Sequence, residues 1–90
     1  MPQAIVDPSD LRQFAISLKK FSSDLQDRIG SLNAQMSALE RTWRDQEQKK
    51  FAEEFQQHMK GIARFVEVID QHVPYLQRKA EIIEEYLQQR

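Results

Sequence analysis

Apolar side chains recur every seven residues in two long rows along this chain, and one tripeptide, Trp43-Arg44-Asp45, separates the rows. The first row consists of Leu11, Leu18, Leu25, Leu32 and Leu39, and the second of Phe55, Ile62, Ile69, Leu76 and Ile83. Further apolar residues lie three or four positions from these, which is the spacing of one face of an α-helix. The pattern predicts two amphipathic helices of similar length, joined by a short turn that contains the tryptophan.

The starts of both helices are marked by capping residues. Asp7 or Ser9 is suited to accept hydrogen bonds from the first turn of the first helix, and Pro8 suits its first position. Asp45 is a good N-cap for the second helix, and Gln48 follows it at the spacing of a capping box. These signals predict that the first helix starts after Asp7 or Ser9 and the second after Asp45.

The chain is predicted to form a single domain over residues 1–90, because ninety residues suffice for one small domain only. The expected elements are a helix over 8–43, a turn over 43–46 and a helix over 46–88. Pro74 lies inside the second helix, where its missing amide hydrogen weakens the structure. Since the apolar spacing continues unbroken past Pro74, we expect a kink there and not an end.

A short connection makes two such helices antiparallel neighbours, so the two rows should pack on each other in a hairpin. The predicted hairpin seam consists of Leu18, Leu25, Leu32 and Leu39 packed on Phe55, Ile62, Ile69 and Leu76. A flanking row on the second helix stays uncovered within one hairpin: Phe65, Val68, Tyr75 and Ile82. Surplus apolar surface of this kind usually marks a contact with another chain. The predicted fold is therefore all-α, an antiparallel two-helix hairpin that dimerises into a four-helix bundle.

Composition and charge narrow the function of such a hairpin. The formal net charge of −1 lacks the basic excess of a nucleic-acid-binding surface, so no nucleic-acid partner is expected. The chain has no cysteine, which excludes disulfides and thiolate metal sites. No stretch is apolar enough for stable membrane insertion, and the first residues lack the segments of a cleavable secretory signal. We expect a cytoplasmic protein, or one that is secreted without a cleavable signal peptide.

Few residues are candidates for metal binding or catalysis. His58 and His72 lie fourteen residues apart on one helix face, with Glu54 one turn before His58. Too few ligands converge for a metal, and the Glu-x-x-His pair of di-iron bundles is missing, so these residues are expected to flank the seam. No phosphate loop or nucleophile elbow occurs, and a thin hairpin encloses no pocket for acid–base chemistry. We expect no enzyme activity, no cofactor and no metal.

Trp43 has two interpretations. Tryptophan is frequent at binding hot spots, so an exposed ring would serve as an anchor for a partner. Alternatively, Trp43 extends the row that ends at Leu39 and plugs the end of the hairpin, with its indole N–H bonded to a turn carbonyl. Both hold together if the plug is only partly covered.

The segment Leu39-Glu-Arg-Thr-Trp43-Arg-Asp45, followed by the aromatic residues Phe51 and Phe55, resembles the turn of the WXG family of helical-hairpin proteins of type VII secretion. The architecture is similar to that family from Asp7 to Leu87. The resemblance implies a small homo- or heterodimer that forms a four-helix bundle and is not an enzyme. It implies either an exported substrate without a cleavable signal or a partner that keeps a secreted protein folded and targeted. Trp43 would then line a groove that helps form a recognition surface.

Two departures from the family pattern bear on secretion. Asp45 stands where the family has Gly, so we expect a turn that is tighter or differently capped. Well-studied branches carry a C-terminal export signal, Tyr followed four residues later by Asp or Glu. Here Tyr75 is followed by Lys79 and Tyr86 by Arg90, both of the opposite charge. If export requires that acid, this chain depends on a partner to supply it or is not exported.

The predicted function is that of a type VII secretion substrate or secretion partner that acts by helix-bundle dimerisation. Its partner would be a second copy or a related hairpin, with a larger secreted protein as a further candidate. The alternative is an intracellular coiled-coil adaptor or regulator unrelated to secretion. Detection of the protein outside intact cells, dependent on a secretion motor, separates the two.

Overall fold

The computed structural model describes residues 6–89, which form two long helices and no strand. Helix α1 spans Pro8–Leu39 and helix α2 spans Gln46–Gln88, and residues 40–45 connect them. The helices run antiparallel and contact each other, which confirms the predicted all-α hairpin. In this part of the chain, neither helix has an apolar stretch long enough to cross a membrane.

Local hydrogen bonds fix both ends of α1. Asp7 is the N-cap, because its Oδ1 accepts from the backbone N–H of Ser9 at 2.8 Å. At the other end, the carbonyl oxygen of Leu39 accepts from the backbone N–H groups of Thr42, at 3.1 Å, and Trp43, at 3.0 Å. These bonds bend the chain away from the helix axis. Helix α1 therefore ends at Leu39, whereas the apolar spacing predicts continuation to residue 43.

Helix α2 begins after its own cap, Asp45, whose Oδ1 accepts from the backbone N–H of Gln48 at 2.9 Å. Asp45 has φ −89° and ψ −174°, an extended conformation that any residue adopts. The turn is therefore capped by a side chain and does not need the glycine of the WXG pattern. From this cap, α2 continues to Gln88 through Pro74 as one helix.

The hydrophobic core lies towards the open end of the hairpin, away from the turn. Its buried residues are Ala15, Val66, Ile69, Val73 and Ala80. Leu18 and Leu76 pack against the cluster formed by Ala15, Ile69 and Val73. Small side chains, Ala15 and the equally buried Ser22, let α2 lie close to α1 at this end. Within the described part of α1, no residue after Ser22 is buried, so the hairpin is best packed away from Trp43.

The hairpin is long and thin, with extents of 68 × 22 × 15 Å and a radius of gyration of 20.2 Å. A compact chain of this length would have a radius of gyration of about 12 Å. The accessible surface is 7491 Å². A compact monomer of the same mass would expose about 2,000 Å² less. A single hairpin therefore leaves an unusually large part of its surface uncovered.

Candidate interaction surface

The turn end of the hairpin brings together the aromatic residues that the sequence singles out. The Trp43 ring is half-buried, and its centroid lies 5.6 Å from that of Phe51 with the planes tilted by 38°. Phe51 in turn stacks on Phe55 at 6.0 Å. Such arrangements suit attraction between aromatic rings. Trp43 thus covers the end of the hairpin while part of its ring stays accessible.

A shallow groove runs beside this aromatic cluster. Its lining consists of Leu32, Gln35, Met36, Leu39, Phe51 and Phe55. The first four belong to α1 and the last two to α2, and Leu32 and Leu39 are 45% and 43% exposed. Exposed apolar residues of both helices therefore share one side of the hairpin.

This apolar side continues along the hairpin, because residues seven or eleven positions apart lie on one helix face. We call it the outer face and define it by exposed residues: Phe14, Phe21, Leu32 and Leu39 of α1, and Phe51, Phe65, Val68, Tyr75, Ile82 and Tyr86 of α2. The four residues predicted to hold a second chain, Phe65, Val68, Tyr75 and Ile82, are among them and are 45–60% exposed. All ten of these side chains are at least 43% exposed in the hairpin.

The seam between the helices lies to one side of the predicted leucine row. Six of the residues predicted for the seam are at least half-buried, as a seam requires. Ile69 is 4% exposed, and the half-buried residues are Leu18, Leu25, Phe55, Ile62 and Leu76. Leu32 and Leu39 lie instead on the outer face. A strict seven-residue row drifts about 20° per heptad around a straight helix, so the last two leucines rotate out of the seam. Ala15 and Ser22, four residues after Leu11 and Leu18, are the positions of α1 that α2 covers most completely.

An ion pair joins the open ends of the two helices, and the apolar pattern gives no sign of it. Arg12 Nη2 lies 2.6 Å from Glu84 Oε1, and Arg12 Nε donates to Glu84 Oε2 at 3.3 Å. The hydrogen bond from Arg12 lowers the pKa of Glu84, and partial desolvation opposes that effect. The same bond raises the pKa of Arg12. Both side chains are about two-fifths exposed, so water and salt weaken the pair.

A partly buried hydrogen bond also crosses the middle of the hairpin. Ser22 Oγ donates to Asp70 Oδ1 at 2.9 Å, and Gln26 Nε2 donates to Ser22 Oγ at 3.2 Å. The apolar pattern does not predict this contact, because serine is polar and Ser22 lies outside the leucine row. The available signal was the small size of Ala15 and Ser22 at heptad spacing, which marks a close approach of helices.

Two candidate features remain on α2. His58 and His72 are exposed, and within residues 6–89 no three His, Cys, Asp or Glu side chains converge on a metal position. The other is the Tyr75 and Lys79 pair, in which a base stands where the export signal has an acid. This pair lines an open groove together with Pro74, Arg78, Ile82 and Ile83. The corresponding pair of Tyr86 includes Arg90, which lies outside the described residues.

Solved structures with the same fold include crystal forms of the secreted protein EsxB from Bacillus anthracis strain Sterne. A glycine-to-alanine mutant is 24% identical, has a TM-score of 0.78, and the match covers 93% of this chain and 97% of that one. The selenomethionine form is 23% identical with a TM-score of 0.79, and the match covers 96% of this chain and 98% of that one. The wild type is 25% identical with a TM-score of 0.76, and the match covers 90% of this chain and 93% of that one. No curated protein matched this chain. The extended hairpin is therefore an established fold along nearly its full length.

The family model that matches this chain is WXG100, described as "Proteins of 100 residues with WXG". Its match covers residues 3–86, which include all of α1, the turn with Trp43 and nearly all of α2. The matched range thus contains the architecture and the turn on which the resemblance rests. The chain belongs to the WXG100 family.

Proposed function

We propose that this chain acts in type VII secretion by pairing its outer face with a second hairpin, as an exported substrate or as the partner of one. Membership of the WXG100 family supports a small helical protein associated with type VII secretion. In this proposal the chain forms a dimer with a related hairpin and is not an enzyme. Binding is then the whole mechanism. The partner is a second copy of this chain or a related hairpin.

The observation that carries this proposal is the outer face. Its ten apolar side chains are exposed, and those of α2 extend from Phe51 to Tyr86, a distance of about 50 Å at the helical rise per residue. A monomer rarely exposes a continuous apolar patch of that extent. Stable interfaces bury about 800 Å² on each partner, and the surplus surface of about 2,000 Å² exceeds that need. A long, narrow, apolar stripe fits another pair of helices better than it fits a small ligand.

Export from cells tests the link to secretion. We expect the wild-type protein in the culture medium of a strain with a type VII system, and only inside cells when the secretion motor is deleted. Val68→Asp, which places a charge on the outer face, should be retained in both strains because an unpaired charge opposes pairing. Ile16→Asp is the matched control, since Ile16 is 65% exposed and lies on the other side of α1.

Retention of the wild-type protein under all conditions, with neighbouring genes co-expressed, would exclude the role of an exported substrate. If deletion of this chain also left the export of the neighbouring proteins unchanged, a role in secretion would be contradicted. Dimerisation without export would then favour an intracellular coiled-coil adaptor.

We also propose that Trp43 and Asp45 contribute to partner recognition at the turn end. Trp43 is half-buried and keeps part of its ring accessible beside the groove, while Asp45 fixes the start of α2. Trp43→Ala should leave the hairpin folded, because the core lies at the other end. It should reduce export without changing the number of chains in the purified protein, measured as solution mass by light scattering. Loss of folding in Trp43→Ala would assign the ring a purely structural role.

A further inference from the structure

Helix α2 has a weak turn at Pro74. Because Pro74 has no N–H, the carbonyl oxygen of Asp70, four residues earlier, has no helical donor, and the proline ring crowds that carbonyl. Prolines inside helices usually cause a kink or a break. Here α2 continues as one helix to Gln88. Contacts with α1 must therefore offset the weakness at this turn.

Ser22 supplies such a contact at the same turn of α2. Its hydroxyl is 1% exposed and donates to the side chain of Asp70 at 2.9 Å. Gln26 donates to the same hydroxyl oxygen at 3.2 Å, so the serine oxygen is engaged as donor and acceptor. The neighbouring positions of this row, Ala15 and Ile29, are apolar. A hydroxyl buried in such a row is stabilising only through its partner, because an unpaired one is costly.

We propose that Ser22 and Asp70 form a clasp that holds α2 against α1 at the Pro74 turn. When the clasp is released, residues 75–88, which we call the C-terminal segment, separate from α1 as a unit. This inference concerns a single hairpin and does not depend on the proposed pairing or on secretion.

The contacts beyond Pro74 support opening of this segment as a unit. Ala80 is fully buried against α1 but is small, and Leu76 is only half-buried. The ion pair between Glu84 and Arg12 is two-fifths exposed, so water competes with it. The segment is therefore attached by fewer buried apolar contacts than the part of α2 around Ile69. Opening would also displace the outer-face residues that the segment carries, Tyr75, Ile82 and Tyr86.

Amide hydrogen exchange on the purified chain tests the clasp. Ser22→Ala removes the donor and keeps a small side chain, and we expect amides of residues 75–88 to exchange about tenfold faster. Amides of residues 46–66 should keep their wild-type rates. Ser23→Ala is the matched control, because it is the exposed neighbour and gains the same helix propensity without touching the clasp. Asp70→Ala, at an exposed position, should reproduce the effect if Ser22→Ala folds poorly.

Pro74→Ala tests the connection to the weak turn, because it restores the amide donor to the carbonyl of Asp70. In that background, Ser22→Ala should no longer accelerate exchange in residues 75–88. Three results would each overturn the proposal. The first is an unchanged exchange rate of residues 75–88 in Ser22→Ala, and the second is an equal acceleration of exchange in residues 46–66. The third is that Ser22→Ala accelerates exchange in residues 75–88 equally with Pro74 and with Pro74→Ala.

Discussion

At the scale of single residues, short polar side chains decide where this hairpin begins, turns and closes. Asp45 illustrates this, because it caps α2 from an extended backbone and so replaces a glycine by a hydrogen bond. The sequence predicts that cap correctly, since the signal is local. The bonds of Ser22 with Asp70 and of Arg12 with Glu84 join residues 48 and 72 positions apart, and no local pattern indicates them.

Replacement of Asp45 should measure the strength of this cap. Asp45→Ala removes the acceptor of the Gln48 N–H and should lower the free energy of unfolding by about 1 kcal/mol. Asp45→Gly, which introduces the family's residue, should cost only a few tenths of a kcal/mol. Urea denaturation followed by circular dichroism gives both values. Equal losses for alanine and glycine would indicate that the side chain matters for another reason.

The pair of Arg12 and Glu84 should make stability depend on pH in the acid range. The pKa of Glu84 is lower in the folded protein than in the unfolded chain, where the pKa of a glutamate is about 4.3. Its stabilising effect is therefore complete above that pH and is lost as the pH falls through the folded pKa. Wild type should be more stable than Glu84→Gln at pH 7, and the difference should disappear in acid.

Arg12→Gln should give the same pH profile as Glu84→Gln, and the double variant should lose no more than either single variant. A difference between wild type and Glu84→Gln that stays constant from neutral to acid pH would exclude this ion pair as its source.

At the scale of helices, heptad spacing predicts the two elements and the side on which they meet, but not the centre of the seam. Leu32 and Leu39 belong to the same sequence row as Leu18, yet they lie on the outer face. Helix geometry explains the difference, because a strict heptad row drifts around a straight helix and only supercoiling keeps it facing its partner. The small residues Ala15 and Ser22 then determine which side of α1 the second helix approaches.

The position of Ile69 at 4% exposure in the core gives a test at this scale. Ile69→Asp should abolish folding, because burying an unpaired charge costs several kcal/mol. Ile16→Asp introduces the same charge at an exposed position of α1 and should remain folded. Circular dichroism distinguishes the two. A helical, cooperatively melting Ile69→Asp protein would show that the seam is misplaced.

At the scale of the whole molecule, shape and surface together point to a partner. A 68 Å rod with an apolar stripe on one side buries little of its surface by itself, and its core lies in the half of the hairpin farther from the turn. The flanking residues Phe65, Val68, Tyr75 and Ile82 show already in the sequence that apolar surface is left over. What covers them is a property of a second chain, and one sequence does not contain it.

The most direct test of pairing is the solution mass of the purified chain by light scattering, over a range of concentrations. We expect twice the chain mass of 10.7 kDa, with a melting temperature that rises with protein concentration. Val68→Asp should reduce the mass to that of one chain, and Ile16→Asp should not. A monomer of 10.7 kDa that stays soluble and melts cooperatively at every concentration, and that binds no co-expressed hairpin, would contradict the account.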